Sequence, residues 1–166
     1  CRKSIWLATL SQFASTDGTG FAVNTAISSV TQLTNEIGCS ARNSIVTAGQ
    51  FVFFLSDAGI YRLDARLDLK LRGDTMPLSE PIADLFATVN QGRVEKSAFG
   101  IWHDNRYLIA LPTSSDPLDG NELVVCWNSL NNQWEYRDTY PASAAVNQIL
   151  VATYQNKRRV FSIPRS

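Results

Sequence analysis

Four short phrases of one character recur along the chain and constrain its fold more than any other feature. Lys3-Ser4-Ile5-Trp6-Leu7-Ala8, Gln50-Phe51-Val52-Phe53-Phe54-Leu55, Arg106-Tyr107-Leu108-Ile109-Ala110-Leu111 and Arg158-Arg159-Val160-Phe161-Ser162-Ile163 align without gaps. Each opens on polar residues and runs into β-branched, aromatic and aliphatic ones, the pattern of a strand buried by its surroundings. Consecutive copies lie roughly 50 residues apart, the period of blade-like units that hide their faces only against their neighbours. The expectation is a mainly β chain of β-propeller-like repeats of antiparallel strands, with one short helix.

Over 166 residues that period predicts one β-rich region, residues 1–166, of about three repeats and the start of a fourth. The repeats divide as 1–43, 44–97, 98–148 and 149–166. Three blades alone would leave open sheet edges, and the chain opens at Cys1 inside a strand pattern. It therefore reads as a partial propeller, an excerpt of a longer polypeptide.

Each repeat predicts a hairpin. Ser44 to Thr47 leads through Gly49-Gln50 into Phe51 to Leu55, and Ala98 to Trp102 leads through Asp104-Asn105 into Tyr107 to Leu111. Ile149 to Tyr154 leads through Gln155-Asn156 into Val160 to Ile163. Gly, Asn and Asp tolerate the positive φ of tight turns. Further strands are expected at Ile60 to Leu63, Leu123 to Trp127 and Gln133 to Tyr136, with Trp127 and Trp134 pairing across a turn. Ile82, Leu85, Phe86 and Val89 have helical spacing and predict about three turns of amphipathic helix. Ser79 is its expected N-cap, Pro81 its first turn, and Gly92 lies just past its end. Ser11 to Val30 is polar and open to two readings, a long loop or an extended hairpin.

Lys plus Arg and Asp plus Glu number 15 each, a balance that gives no general electrostatic attraction to nucleic acid or membrane. No apolar stretch approaches the roughly 20 residues of a membrane helix. Cys1, Cys39 and Cys126 are odd in number and far apart, which fits reduced thiols.

No catalytic, cofactor or metal site emerges. His103 is the only histidine and reads as a turn residue, with no serine in a nucleophile-elbow context to use it. Asp116-Pro117-Leu118-Asp119-Gly120-Asn121-Glu122 gathers oxygen ligands around a glycine without EF-hand spacing, so an acidic turn is the plainer reading. Ser56-Asp57-Ala58-Gly59 has the look of the aspartate turn of sialidase-type propellers, yet a hairpin between Leu55 and Ile60 already requires a turn there. Glu80, Glu95, Glu122 and Glu135 offer carboxylates for glycoside hydrolysis, but nothing selects a pair. Lys157-Arg158-Arg159 is the densest basic cluster; on a strand its charges alternate faces.

Ile37-Gly38-Cys39-Ser40-Ala41-Arg42-Asn43-Ser44-Ile45-Val46, followed by Val52 to Tyr61, resembles a phrase in tail proteins of short-tailed bacteriophages. Leu78 to Ile82 and Asn132 to Glu135 are similar to further phrases there. The resemblance is strongest to the tail nozzle, or tail tubular protein B, and extends to phage tail-stabilisation proteins. It implies a non-enzymatic virion protein assembled in the host cytoplasm, usually six copies of itself around a channel. Double-stranded DNA would be retained and then ejected through that channel, and the tail adaptor and neighbouring tail proteins would be partners. Residues 11–30 and 112–121 would then be contact segments, and Lys157, Arg158, Arg159, Asp116 and Asp119 candidates for an interface or the lumen. Two alternatives stand beside this reading. A glycan- or receptor-binding module would need exposed aromatics such as Trp102 or Trp134, and a propeller-type glycoside hydrolase would need two facing carboxylates.

Overall fold

The computed structural model describes residues 3–15, 22–64, 76–116 and 120–164. They form four antiparallel sheets with short helical turns between them. The first sheet pairs β1 (Ile5–Ser15) antiparallel with β2 (Ala22–Thr34), so the described parts of the polar segment Ser11 to Val30 are paired strands, as the hairpin reading has it. Residues 16–21 lie outside the described residues. The second orders β3 (Val46–Ala48), β4 (Phe51–Ser56) and β5 (Gly59–Asp64). The third orders β6 (Phe99–His103), β7 (Arg106–Leu111), β8 (Leu123–Asn128) and β9 (Gln133–Thr139). The fourth pairs β10 (Val146–Tyr154) with β11 (Lys157–Pro164).

The hairpin turns follow from local chemistry. Asp104 and Asn105 have φ of 47° and 59°, and Gln155 and Asn156 have 50° and 62°. Two successive positive-φ residues twist a two-residue loop in the sense its strands need. Trp127 does pair with Trp134 across the β8–β9 turn.

The sheets stack face to face in chain order. Phe53, Leu55 and Ile60 of the second sheet meet Tyr107, Ile109, Val125 and Trp127 of the third in the main core. The opposite face of the third sheet supplies Ala110 and Val124 to a smaller cluster with Val146 and Ile149 of β10. Because both faces are covered, β8 is buried at every position, and its run of apolar residues has no alternation. The start of β1 borders the far side of the second sheet, where Ile5 and Trp6 share a groove with Val52 and Phe54. No closed barrel or propeller forms among the described residues.

One buried polar relay ties the two central sheets. The Tyr107 hydroxyl donates to the Ser44 carbonyl at 2.8 Å. Ser44 Oγ donates to the Ala41 carbonyl at 2.6 Å and accepts from the Leu55 N–H at 2.9 Å. A Cβ on Gly100 would sit 2.8 Å from the Tyr107 hydroxyl and 3.0 Å from the Ser44 carbonyl, so only glycine lets the relay close. Burial drives the Tyr107 phenol far above its ordinary range. Ser44 itself lies in a 3-10 turn, Arg42–Ser44, rather than in the strand its neighbours predict.

The expected three-turn helix is broken. A 3-10 turn, Glu80–Ile82, leads into a single α turn, α1 (Ala83–Phe86), and a separate turn, α2 (Val94–Ser97), follows. Asn90 competes with continuation: its N–H donates to the Pro112 carbonyl at 2.8 Å and its amide to the Ser114 carbonyl at 3.0 Å. The apolar positions still do their work, since Leu85 and Phe86 pack on the core and Val89 is buried. Pro81 occupies the first turn as its geometry favours, but Ser79 makes no cap bond. Its Oγ instead accepts the Ile60 N–H at 3.1 Å.

Candidate functional site

A cleft of about 930 Å³ lies between the outer half of the third sheet and the β10–β11 hairpin. A register shift builds it. Cys126 pairs with Tyr136 and Trp127 with Trp134, leaving Glu135 as the extra residue of a β-bulge. Such a bulge redirects side chains away from strict alternation. Trp134 stays on the core side, its indole N–H donating to the Leu78 carbonyl at 2.9 Å. Glu135 and Tyr136 both line the cleft.

Glu135 is held at both oxygens. Arg106 Nε donates to one at 2.7 Å and Asn128 Nδ2 to the other at 2.5 Å. Arg106 also donates to the carboxylate of Asp104 at 3.2 Å. The Asn128 and Arg106 hydrogen bonds keep the Glu135 carboxyl below the usual range, and Glu135 in turn raises the guanidinium of Arg106. Burial pushes up the Cys126 thiol and the Tyr136 phenol beneath them. His103 ends β6 opposite Arg106 and lines the same cleft.

The residues singled out from the sequence lie elsewhere. Lys157, Arg158 and Arg159 open β11 and are exposed. They pair with Tyr154, Thr153 and Ala152 in turn, so their charges do alternate faces. The Arg159 guanidinium lies 6.0 Å from the centre of the Tyr154 ring. Asp116 is exposed, its N–H donating to Ser114 Oγ at 3.0 Å, and Asp119 falls outside the described residues. Neither the basic cluster nor Asp116 lines the cleft.

Glu122, at the end of the acidic loop, turns inward as a clamp on that loop's other end. It accepts the Thr113 N–H at 2.7 Å, the Thr113 hydroxyl at 3.1 Å and the Ser114 N–H at 3.2 Å. Arg93 stands 4.0 Å away. Among the described residues no group of three or more His, Cys, Asp or Glu side chains is placed to hold a metal ion. At the Ser56 to Gly59 turn, the Ser40 hydroxyl donates to Asp57. Trp102 stacks on Phe53 at 5.5 Å and serves packing; Trp134 packs on the core and also borders the cleft, where Tyr136 and Tyr140 join it.

The clamp and the bulge share a pH signature. Burial alone would raise the Glu122 carboxyl, but the Thr113 and Ser114 N–H groups outweigh it and hold it low. Both Glu122 and Glu135 therefore titrate lower folded than unfolded. Their stabilisation is full above the unfolded carboxylate value of about 4.3 and is lost as pH falls through the folded value. The urea midpoint should stay level from about pH 7 to about pH 5 and drop below about pH 4. Glu122→Gln should drop less steeply, and an identical acid limb in that variant would take the loop clamp out of the explanation.

Scanned against protein-family models the chain matches none, and no curated protein matches it. The class defined by fold and site is a mainly β protein of four stacked antiparallel sheets with a bulge-built polar cleft.

Proposed function

We propose that the chain is a structural part of a bacteriophage tail, lending propeller-like blades to an oligomeric ring of the nozzle or tail hub. The observation that carries this reading is the stacking of successive sheets in chain order, with apolar side chains of both outermost sheets exposed among the described residues. Trp6, Leu10, Ile27 and Val30 of the first sheet are exposed, as are Tyr154, Phe161 and Ile163 of the last. Apolar surface on that scale belongs against further sheets. Repetition of one unit around an axis supplies them, whether from the same polypeptide or from other copies. The phrases from Ile37 to Tyr61 give the resemblance its direction.

In this reading the protein is not an enzyme. Glu122 holds a loop and Glu135 holds a bulge, so the carboxylates in the best polar surroundings already serve the architecture. Six copies would surround the channel, bind the adaptor and neighbouring tail proteins, and pass double-stranded DNA without reading its sequence. In that ring, Lys157, Arg158 and Arg159 recur once per subunit, turning a modest cluster into a band of positive charge. The test is the mass of the purified protein, followed by electron-microscope class averages. A six-fold ring with a central hole is the expected result, and a stable monomer would sink the reading.

A further inference from the structure

The cleft under the β10–β11 hairpin combines groups that the tail reading does not use. Its volume of about 930 Å³ falls in the size range of small-ligand sites. Leu108, Val124 and Ile149 make an aliphatic floor, while Tyr136 and Tyr140 bring aromatic rings to the lining. Acceptors and donors stand together beside them: Glu135 and Asp138 carry the former, Arg106 and Gln133 the latter.

Ligand classes separate on this chemistry. A phosphate or other anion would face Asp104, Glu135 and Asp138, against an Arg106 already engaged by two of them. A metal ion finds no adequate donor group among the described residues. A wholly apolar ligand would strip water from carboxylates and give nothing back. A pyranose suits the site, because its C–H faces are apolar while its hydroxyls both donate and accept. Glu135 also has acceptor capacity to spare, since a carboxylate offers about four lone-pair sites and Arg106, Asn128 and the Cys126 thiol take one each. The Arg106 and Asn128 bonds, one at each oxygen, fix the carboxylate before any ligand arrives, which lowers the ordering cost of binding.

We propose that this cleft binds a neutral oligosaccharide. Glu135 and Asp138 accept from its hydroxyls, the spare N–H groups of Arg106 donate to it, and Tyr136 and Tyr140 face its C–H surfaces. This goes beyond the ring reading and does not depend on it: a ring without sugar binding and a sugar-binding monomer are separate outcomes.

The intact chain would be applied to a printed array of neutral, sialylated and sulfated glycans. Maltohexaose, cellohexaose and the strongest neutral hit would then be titrated by calorimetry. Neutral glycans should bind, and both Asp138→Ala and Glu135→Gln should weaken the binding at least tenfold. Asp138 is exposed, so its variant should keep the parent's unfolding midpoint and separate lost binding from lost fold. The proposal is overturned if no neutral glycan binds, if only anionic glycans bind, or if Asp138→Ala binds as tightly as the parent.

Discussion

Phe53→Ala should cost about 3–5 kcal/mol, in the range for deleting a buried phenyl ring. Phe53 is fully buried at the centre of the main core. Its ring lies 5.1 Å from Tyr107, 5.2 Å from Trp127 and 5.5 Å from Trp102. It is the residue of the second sheet that three aromatics of the third sheet touch, so its removal opens a cavity between sheets where the backbone is paired on both sides. Collapse of that cavity would have to move Tyr107, whose hydroxyl is tied to Ser44. A loss of this size is comparable to the whole stability of many domains, about 5–15 kcal/mol. Urea unfolding followed by tryptophan fluorescence measures it, with Trp102 and Trp127 reporting from the affected cluster. Val52→Ala is the control, because Val52 faces the half-open groove on the other side of the strand; it should cost about 1 kcal/mol. Equal costs for the two variants would mean that the contact between the second and third sheets is not where the stability resides.

The same cluster explains how much of the fold the sequence reveals. Apolar runs such as Phe51 to Leu55 and Leu123 to Trp127 are legible because sheets covering both faces remove alternation. Turn pairs such as Asp104-Asn105 are legible because positive φ at two successive positions narrows the residue choice. Features that depend on distant partners leave no local mark. The helix around Leu85 has the right spacing, yet Asn90 finds its partners in the segment after β7. The bulge at Glu135 is set by pairing with β8, and nothing in Gln133-Trp134-Glu135-Tyr136 tells which residue is the extra one. For that reason the cleft leaves no mark in the sequence, while the basic run at Lys157 to Arg159 stands out by charge alone. The run at Arg158 to Ile163 matches the buried phrases in composition, but the strand it forms is exposed throughout. Repetition reports what each strand is suited to pack against, and packing itself depends on the neighbour.

Gly59→Ala should cost on the order of 2–5 kcal/mol from backbone strain and overpacking together. Gly59 has φ of +142°, a conformation open to glycine and hostile to residues with a Cβ. The added Cβ would lie 2.5 Å from Ser79 Oγ and 2.7 Å from Pro77 Cβ. Neither neighbour is free to yield. Leu78 N–H donates to the Ile60 carbonyl at 2.7 Å and Ile60 N–H donates back to Ser79 Oγ at 3.1 Å, so the segment is laced to the start of β5. Relieving the clash means breaking that lacing, which would leave the Ile60 N–H unpaired at a buried site and cost about 1–3 kcal/mol. Gly49→Ala separates the two contributions, because Gly49 also has positive φ, +60°, but meets nothing within 4 Å; it should cost about 1–2 kcal/mol. Ser79→Ala adds the last corner. Alone it loses the hydrogen bond to Ile60, and combined with Gly59→Ala it also removes the nearest clashing atom. The double variant should therefore be more stable than the sum of its parts requires, by about 0.5–3 kcal/mol. Strict additivity would mean that strain at Gly59 is purely a backbone matter and that the contact with Ser79 carries none of it.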